Sequence, residues 1–408
     1  MTALDNPTEV SADEARVNAL IDQLLAEKDP KTTDVTEFLG HQFDLGLAWV
    51  HFPEGRGGLG LGPKLQITIN NRLAAAGATS PYYRNPIGYG MGAPTIVAHG
   101  SDDQKDRYLR PLFTGEEVWC QLFSEPDAGS DVAGLSSRAV KDGDEWVVNG
   151  QKVWTSLAHR ARWGMLVART DPDQPKHKGL TYFVVDMSAP EVEVRPLRQI
   201  TGEAEFNEVY FTDARIPDNE RLGEVGDGWR VAITTLMNER VSIGGTVPEK
   251  GSGTISVAVR AYKDNRDRYS EIDHVNKRAR LMELWVRAEV HRLTNARASS
   301  NRKTGTPGPE GSVGKLEAAL LNQAIYEFTL EALGPDGMLF GQYDHGDEQP
   351  VTSAAFSSPQ QAFLRSRANS IEGGTTEVMK NILGERVLGL PGDIRVDKDL
   401  AWSQVPRS

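Results

Sequence analysis

The stretch from Trp119 to Ser156 limits what this chain can fold into more than any other. It opens as Trp119-Cys120-Gln121-Leu122-Phe123-Ser124-Glu125-Pro126-Asp127-Ala128-Gly129-Ser130-Asp131-Val132. It closes as Trp146-Val147-Val148-Asn149-Gly150-Gln151-Lys152-Val153-Trp154-Thr155-Ser156. A short apolar strand ends at Ser124 and enters a turn rich in Pro, Asp and Gly. Two alternating runs flank Asn149-Gly150, which predicts a β-hairpin turn there because both residues tolerate positive φ. Small hydroxyls (Ser124, Ser130, Thr155, Ser156), open glycine backbone and one large aromatic, Trp154, are residue types that suit a flat, polar ligand. On spacing alone, an ordinary hairpin with a core tryptophan accounts for the same residues.

The period changes on either side of this stretch. Val17, Leu20, Ile21, Leu24 and Leu25 follow helical spacing, and further helices are expected over 35–47, 66–76 and 90–98. Asp102 or Asp103 is expected to cap the next helix, through Tyr108 and Leu109. The Gly-rich run Gly55–Gly62 contains G-x-G, but no strand feeds it, so a dinucleotide-binding βαβ unit is excluded. Strands are expected at 137–140, 146–148, 163–167, 181–185, 192–196 and 208–211, separated by turns such as Asp142-Gly143, and 218–228 reads as a loop. Helical spacing returns at Trp229, Ala232, Ile233, Leu236, Met237 and Arg240. More helices are expected over 254–266, 275–301, 313–333, 360–368 and 375–390. The reading is an α+β chain: an N-terminal α-helical domain over 1–119, a middle β-sandwich or barrel over 120–228, and a C-terminal four-helix bundle over 229–408.

A net charge of −12 makes the chain a poor partner for nucleic acid or an anionic membrane. The single cysteine, Cys120, excludes an intrachain disulfide or a cysteine-based zinc site, and the eight histidines show no metal-ligand spacing. No apolar run approaches the roughly 20 residues that span a bilayer. The acidic start (Asp5, Glu9, Asp13, Glu14) has no secretory pattern, so a soluble cytoplasmic protein is expected.

The 119–156 stretch resembles the flavin-binding strand and loop of the acyl-CoA dehydrogenase family, whose pattern is close to T/S-E-P-x-A-G-S-D followed by N-G-x-K-x-W-I/T-T/S. Both halves are present, in order. The resemblance implies FAD as cofactor and the trans-2-enoyl-CoA as product. A Glu takes the α-proton of an acyl-CoA thioester and the β-hydrogen leaves as hydride to the flavin. It implies flavin contacts at Gln121, Phe123, Ser124, Gly129, Ser130, Trp154 and Ser156, with Thr375 and Glu377 approaching from the helical domain. Ser130, Arg240 and Gly373 would meet the acyl-CoA. An electron-transfer flavoprotein is the expected redox partner, and a homotetramer or α2β2 heterotetramer the expected assembly.

Two glutamates compete for the base. Ser370-Ile371-Glu372-Gly373-Gly374-Thr375 resembles the family's Y-E-G-T, with Glu372 apparently in place. If Gly374-Thr375 aligns with G-T, however, the base position falls on Gly373. One residue displaces a carboxylate by roughly 3.5 Å, enough to spoil proton abstraction. Glu239, in Met237-Asn238-Glu239-Arg240, matches the isovaleryl- and long-chain-type branches, which carry the base on this helix and a small residue at the C-terminal position. Glu239 is therefore the expected base and Glu372 the alternative; read without the resemblance, Glu239 is an ordinary helix-surface residue. Two departures stand out. The family's R-x-x-F-G, which helps clamp a neighbouring subunit's FAD, is missing from Asp264–Val275, and Glu331-Ala332-Leu333-Gly334-Pro335-Asp336-Gly337 replaces Q-x-x-G-G-x-G. A subunit whose FAD site is completed by a partner, or a flavin monooxygenase or oxidase on the same fold, is the alternative reading.

Overall fold

The computed structural model describes residues 11–243, 248–302, 310–340, 358–392, 394 and 397–406. Five helices come first: α1 (Ala12–Glu27), α2 (Val35–Asp44), α3 (Leu65–Ala76), α4 (Ala93–His99) and α5 (Asp102–Thr114). The cap of α5 differs from expectation. Ser101 is the N-cap, in a reciprocal capping box with Gln104, and the two aspartates occupy the first turn, where they complement the helix dipole.

The middle of the chain forms β1 (Trp119–Leu122), β2 (Arg138–Asp142), β3 (Glu145–Ser156), β4 (Trp163–Arg169), β5 (Leu180–Asp186), β6 (Val192–Leu197), β7 (Phe206–Pro217) and β8 (Arg221–Leu222). They hydrogen-bond into one sheet, ordered β6-β7-β3-β2-β4-β5-β8, with β1 parallel to β4. β8 lies in the stretch expected to be all loop; two residues of pairing are too short to show a period.

The hairpin expected at Asn149-Gly150 is not there. β2 and β3 turn instead around Gly143 (φ 62°), and β3 runs unbroken through Asn149 and Gly150. That dipeptide forms a bulge against β7, where the register shifts between Val148 and Gly150. Asn149 exchanges hydrogen bonds with Asp213, which takes φ 54°, so the Asn-Gly pair serves a strand irregularity rather than a chain reversal.

β4 is buried along its whole length because both faces of it are covered. Met165 and Val167 join a core shared with the N-terminal helices, while Leu166 and Ala168 face a second core with Trp146, Phe183 and Phe211. The C-terminal helices are α6 (Gly228–Ile243), α7 (Thr254–Asp264), α8 (Glu271–Arg302), α9 (Glu310–Leu333), α10 (Pro359–Ser366) and α11 (Thr376–Ile382). α7, α8 and α9 share a third core around Leu281, Leu284, Ile325 and Phe328. α6 packs Val231 and Ala232 into the first core, which seats it against the sheet.

Candidate functional site

The two halves of the Trp119–Ser156 stretch meet across β3. The Ser124 carbonyl accepts from the Val153 N–H at 2.9 Å. One residue back, the fully buried Lys152 donates through Nζ to the Phe123 carbonyl at 3.1 Å and to Glu125 Oε1 at 2.8 Å. Glu125 also accepts from the backbone N–H groups of Ser136 (2.6 Å) and Ser137 (2.9 Å). The loop from Glu125 to Ser137 is thus closed on one buried carboxylate. Burial alone would raise that carboxyl, but the Lys152 charge and the converging donors more than reverse it and hold Glu125 at about 2. Full burial keeps Lys152 below the usual lysine range despite its partner.

This fastening sets out a ledge. Between Lys152 and Thr155 the β3–β7 register shifts again, and Trp154 sits in that bulge at φ 59°. Its ring is 57% exposed and meets Phe206 edge-on at 5.8 Å. Ser124 and Ser156 are half-buried beside it, and Gly129 and Ser130 are exposed in the loop. Among the described residues, the hydroxyls of Ser124, Ser130 and Ser156 engage no partner, and neither do the N–H groups of Gly129 and Ser130. Gln121 lies on β1 opposite Met165, and Phe123 is buried edge-on to Tyr182, so Phe123 is part of the core beneath the ledge.

The other half comes from the C-terminal helices. The Arg365 guanidinium lies 5.7 Å from the Phe206 ring and binds Glu372 through two bonds, at 3.0 and 2.7 Å. Asn369 donates to the same carboxylate at 2.7 Å. Both Glu372 oxygens are therefore occupied. Gly373 and Gly374 follow at φ 61° and 90°, conformations that favour glycine, and Thr375 caps α11 by accepting from the Val378 N–H. Glu377 accepts from Thr376 at 2.9 Å. Glu239 and Arg240 fall on α6, but their side chains lie outside the described residues.

Several residues that build the site were not singled out from sequence. Lys152 and Glu125 are one pair; the signal was a lysine on the inward row of β3, after Trp146 and Val148. Phe206, Arg365 and the half-buried Glu205, whose carboxyl is raised by desolvation, connect the sheet to α10 with no local motif. No metal-ligating cluster exists among the described residues, and none of their helices is long and apolar enough to cross a membrane.

Family models for the acyl-CoA dehydrogenase N-terminal, middle and C-terminal domains match residues 14–116, 120–214 and 226–388. The chain belongs to the acyl-CoA dehydrogenase family. Members are flavoprotein oxidoreductases, and the ledge fits FAD: free hydroxyls, unengaged loop N–H groups and an exposed indole are donors and a wall for a flavin. Among curated relatives, the acyl-CoA dehydrogenase FadE34 of Mycobacterium tuberculosis is 40% identical over 351 residues, covering 85% of this chain and 45% of that protein. The chain thus spans less than half of FadE34. Acyl-CoA dehydrogenase IpdE1 of the same organism is 36% identical over 354 residues, covering 86% of each. The solved ChsE4-ChsE5 complex from Mycobacterium tuberculosis superposes with a TM-score of 0.66 at 25% identity, over 96% of this chain and all of that one.

Proposed function

We propose that the chain is the base-bearing subunit of a cytoplasmic, FAD-dependent acyl-CoA dehydrogenase that oxidises the Cα–Cβ bond of a bulky acyl-CoA. The observation that carries this reading is the ledge: Trp154 and Ser156 on β3 beside Ser124, with Lys152 of the same strand locking it to the loop of Gly129 and Ser130. FAD bound there would supply acceptance of the β-hydrogen as hydride. Ser124 and Ser156 would hold the flavin ring, Trp154 would cover it, and Ser130 would lie where cofactor and CoA meet. Thr375 and Glu377 would approach from α11, and Arg240 would face the CoA end. The residue doing proton chemistry is Glu239.

Three arguments favour Glu239 over Glu372. The Arg365 fork and Asn369 engage both oxygens of Glu372, which leaves neither free to meet a substrate C–H. Gly373, not a carboxylate, stands at the motif's base position. α6, which carries Glu239, is also fixed in rotation: Thr235 bonds Thr95 at 2.9 Å and Tyr182 at 3.0 Å. The adjacent glycines, free of side chains, favour a bulky acyl group.

An α2β2 assembly is supported by what stands at the departed clamp. Arg268 binds Asp336 at 2.8 Å and Tyr269 donates to the Ala332 carbonyl at 2.8 Å, so the two altered segments are tied to each other. Val275, Met282, Val286, Val290 and Leu293 form an exposed apolar row on α8 that suits a subunit interface. The test is to purify the chain alone and together with a second family member, then titrate each anaerobically with acyl-CoAs. Substrate-dependent bleaching of a flavin band, strongest in the co-assembly, is expected. A chain that holds no flavin in either state contradicts the reading. Rapid reoxidation of the reduced flavin by oxygen would move it to the oxidase class, whereas an electron-transfer flavoprotein is the expected acceptor.

A further inference from the structure

The segment Asp397–Pro406 returns to the sheet and lies behind the cofactor loop. Trp402 donates through Nε1 to the Gly134 carbonyl at 3.1 Å. The Arg169 guanidinium lies 4.5 Å from the Trp402 ring. Arg169 is itself buried and reaches the carbonyls of Ala133 (2.6 Å), Leu135 (3.2 Å) and Lys176 (3.0 Å). The segment's backbone is also stitched to the β4–β5 connection: Trp402 N–H to the Gln174 carbonyl and Ser403 N–H to the Pro172 carbonyl, both at 2.9 Å. Lys176 completes the seam, bridging Asp131 of the cofactor loop at 2.8 Å and Asp397 of the segment at 2.9 Å. These contacts converge on Asp131–Leu135, the continuation of the loop that carries Gly129 and Ser130. The front of that loop is exposed, so its shape depends on Glu125 at one end and on this seam at the other.

We propose that Trp402 is a positioning residue for the cofactor: through Gly134 and Arg169 it holds the Gly129–Leu135 loop in the shape that retains FAD. This rests on the FAD reading of the ledge. The chemistry is a hydrogen bond and a cation–π contact acting on one loop, so losing both should weaken retention about tenfold. The test compares wild type, Trp402→Ala, Trp402→Phe and Lys176→Met as flavin-loaded proteins, measuring FAD release by recovery of free-flavin fluorescence and, separately, melting of the flavin-stripped protein. Faster release from Trp402→Ala, by about tenfold, with a smaller increase in Trp402→Phe, which keeps an aromatic face for Arg169 and loses the N–H, is the expected result. Release unchanged in all variants, even where the stripped protein melts earlier, would make the seam purely structural and overturn the proposal. Wild type that never holds flavin would overturn the FAD reading itself.

Discussion

The two sides of the candidate site are each fixed by an ion pair, and the pairs differ in kind. Glu125–Lys152 lies under the ledge with both side chains buried, and it joins the loop to β3. Arg365–Glu372 lies at the C-terminal side with the glutamate side chain 39% exposed, a bidentate fork beside two glycines at positive φ. The lesson is one of division of labour. A buried pair leaves a large penalty if broken, so the ledge is held in one geometry, as the proposed flavin contact requires. A partly exposed pair is screened and weak, so the Gly373-Gly374 side is free to adjust, as the proposed acyl contact there requires.

That contrast can be broken most directly at Lys152. Lys152→Met strands a buried carboxylate and should cost about 3–5 kcal/mol in a denaturant melt. A loss below 1 kcal/mol would mean that the pair does not organise the loop. Acid should act on the same group. The folded Glu125 value of about 2 lies below its ordinary 4.5, so its contribution is complete above 4.5 and drains away as pH falls toward 2. Stability measured across that window should fall more steeply in wild type than in Glu125→Gln. Trp154→Ala is expected to weaken FAD binding about tenfold with little change in melting, because the ring is already 57% exposed; flavin titration followed by a melt separates the two. The smallest effect belongs to Glu372→Gln: under about 1 kcal/mol in stability, and steady-state turnover within a few-fold of wild type.

Much of this organisation was legible in the sequence, for reasons that can be stated. The helical row of α1 buries Val17, Ile21 and Leu24, and amphipathic spacing records that; the row expected on α6 is only partly buried, with Ala232 in the core and Ile233 and Met237 exposed. The exposed loop at Gly129 and Ser130 was legible as a turn because its Pro, Asp and Gly are contiguous. Asn149-Gly150 misled because the tolerance for unusual φ that makes a hairpin turn also makes a bulge; only the partner strand, β7, decides between them. The ion pair under the ledge joins residues 27 apart, and the Trp402 seam joins residues 268 apart. Neither leaves a local pattern. Glu372 looked like a base in the linear motif, whereas its commitment to Arg365 is visible only once α10 is folded beside the loop.

The measurement that bears most directly on the account is anaerobic acyl-CoA reduction of the flavin-loaded protein, by stopped flow, in wild type, Glu239→Gln and Glu372→Gln. The account predicts that reduction slows by about 10²–10⁴ in Glu239→Gln, with FAD still bound, and stays near wild type in Glu372→Gln. Near-normal reduction in Glu239→Gln together with loss in Glu372→Gln would contradict it and return the base to the C-terminal loop.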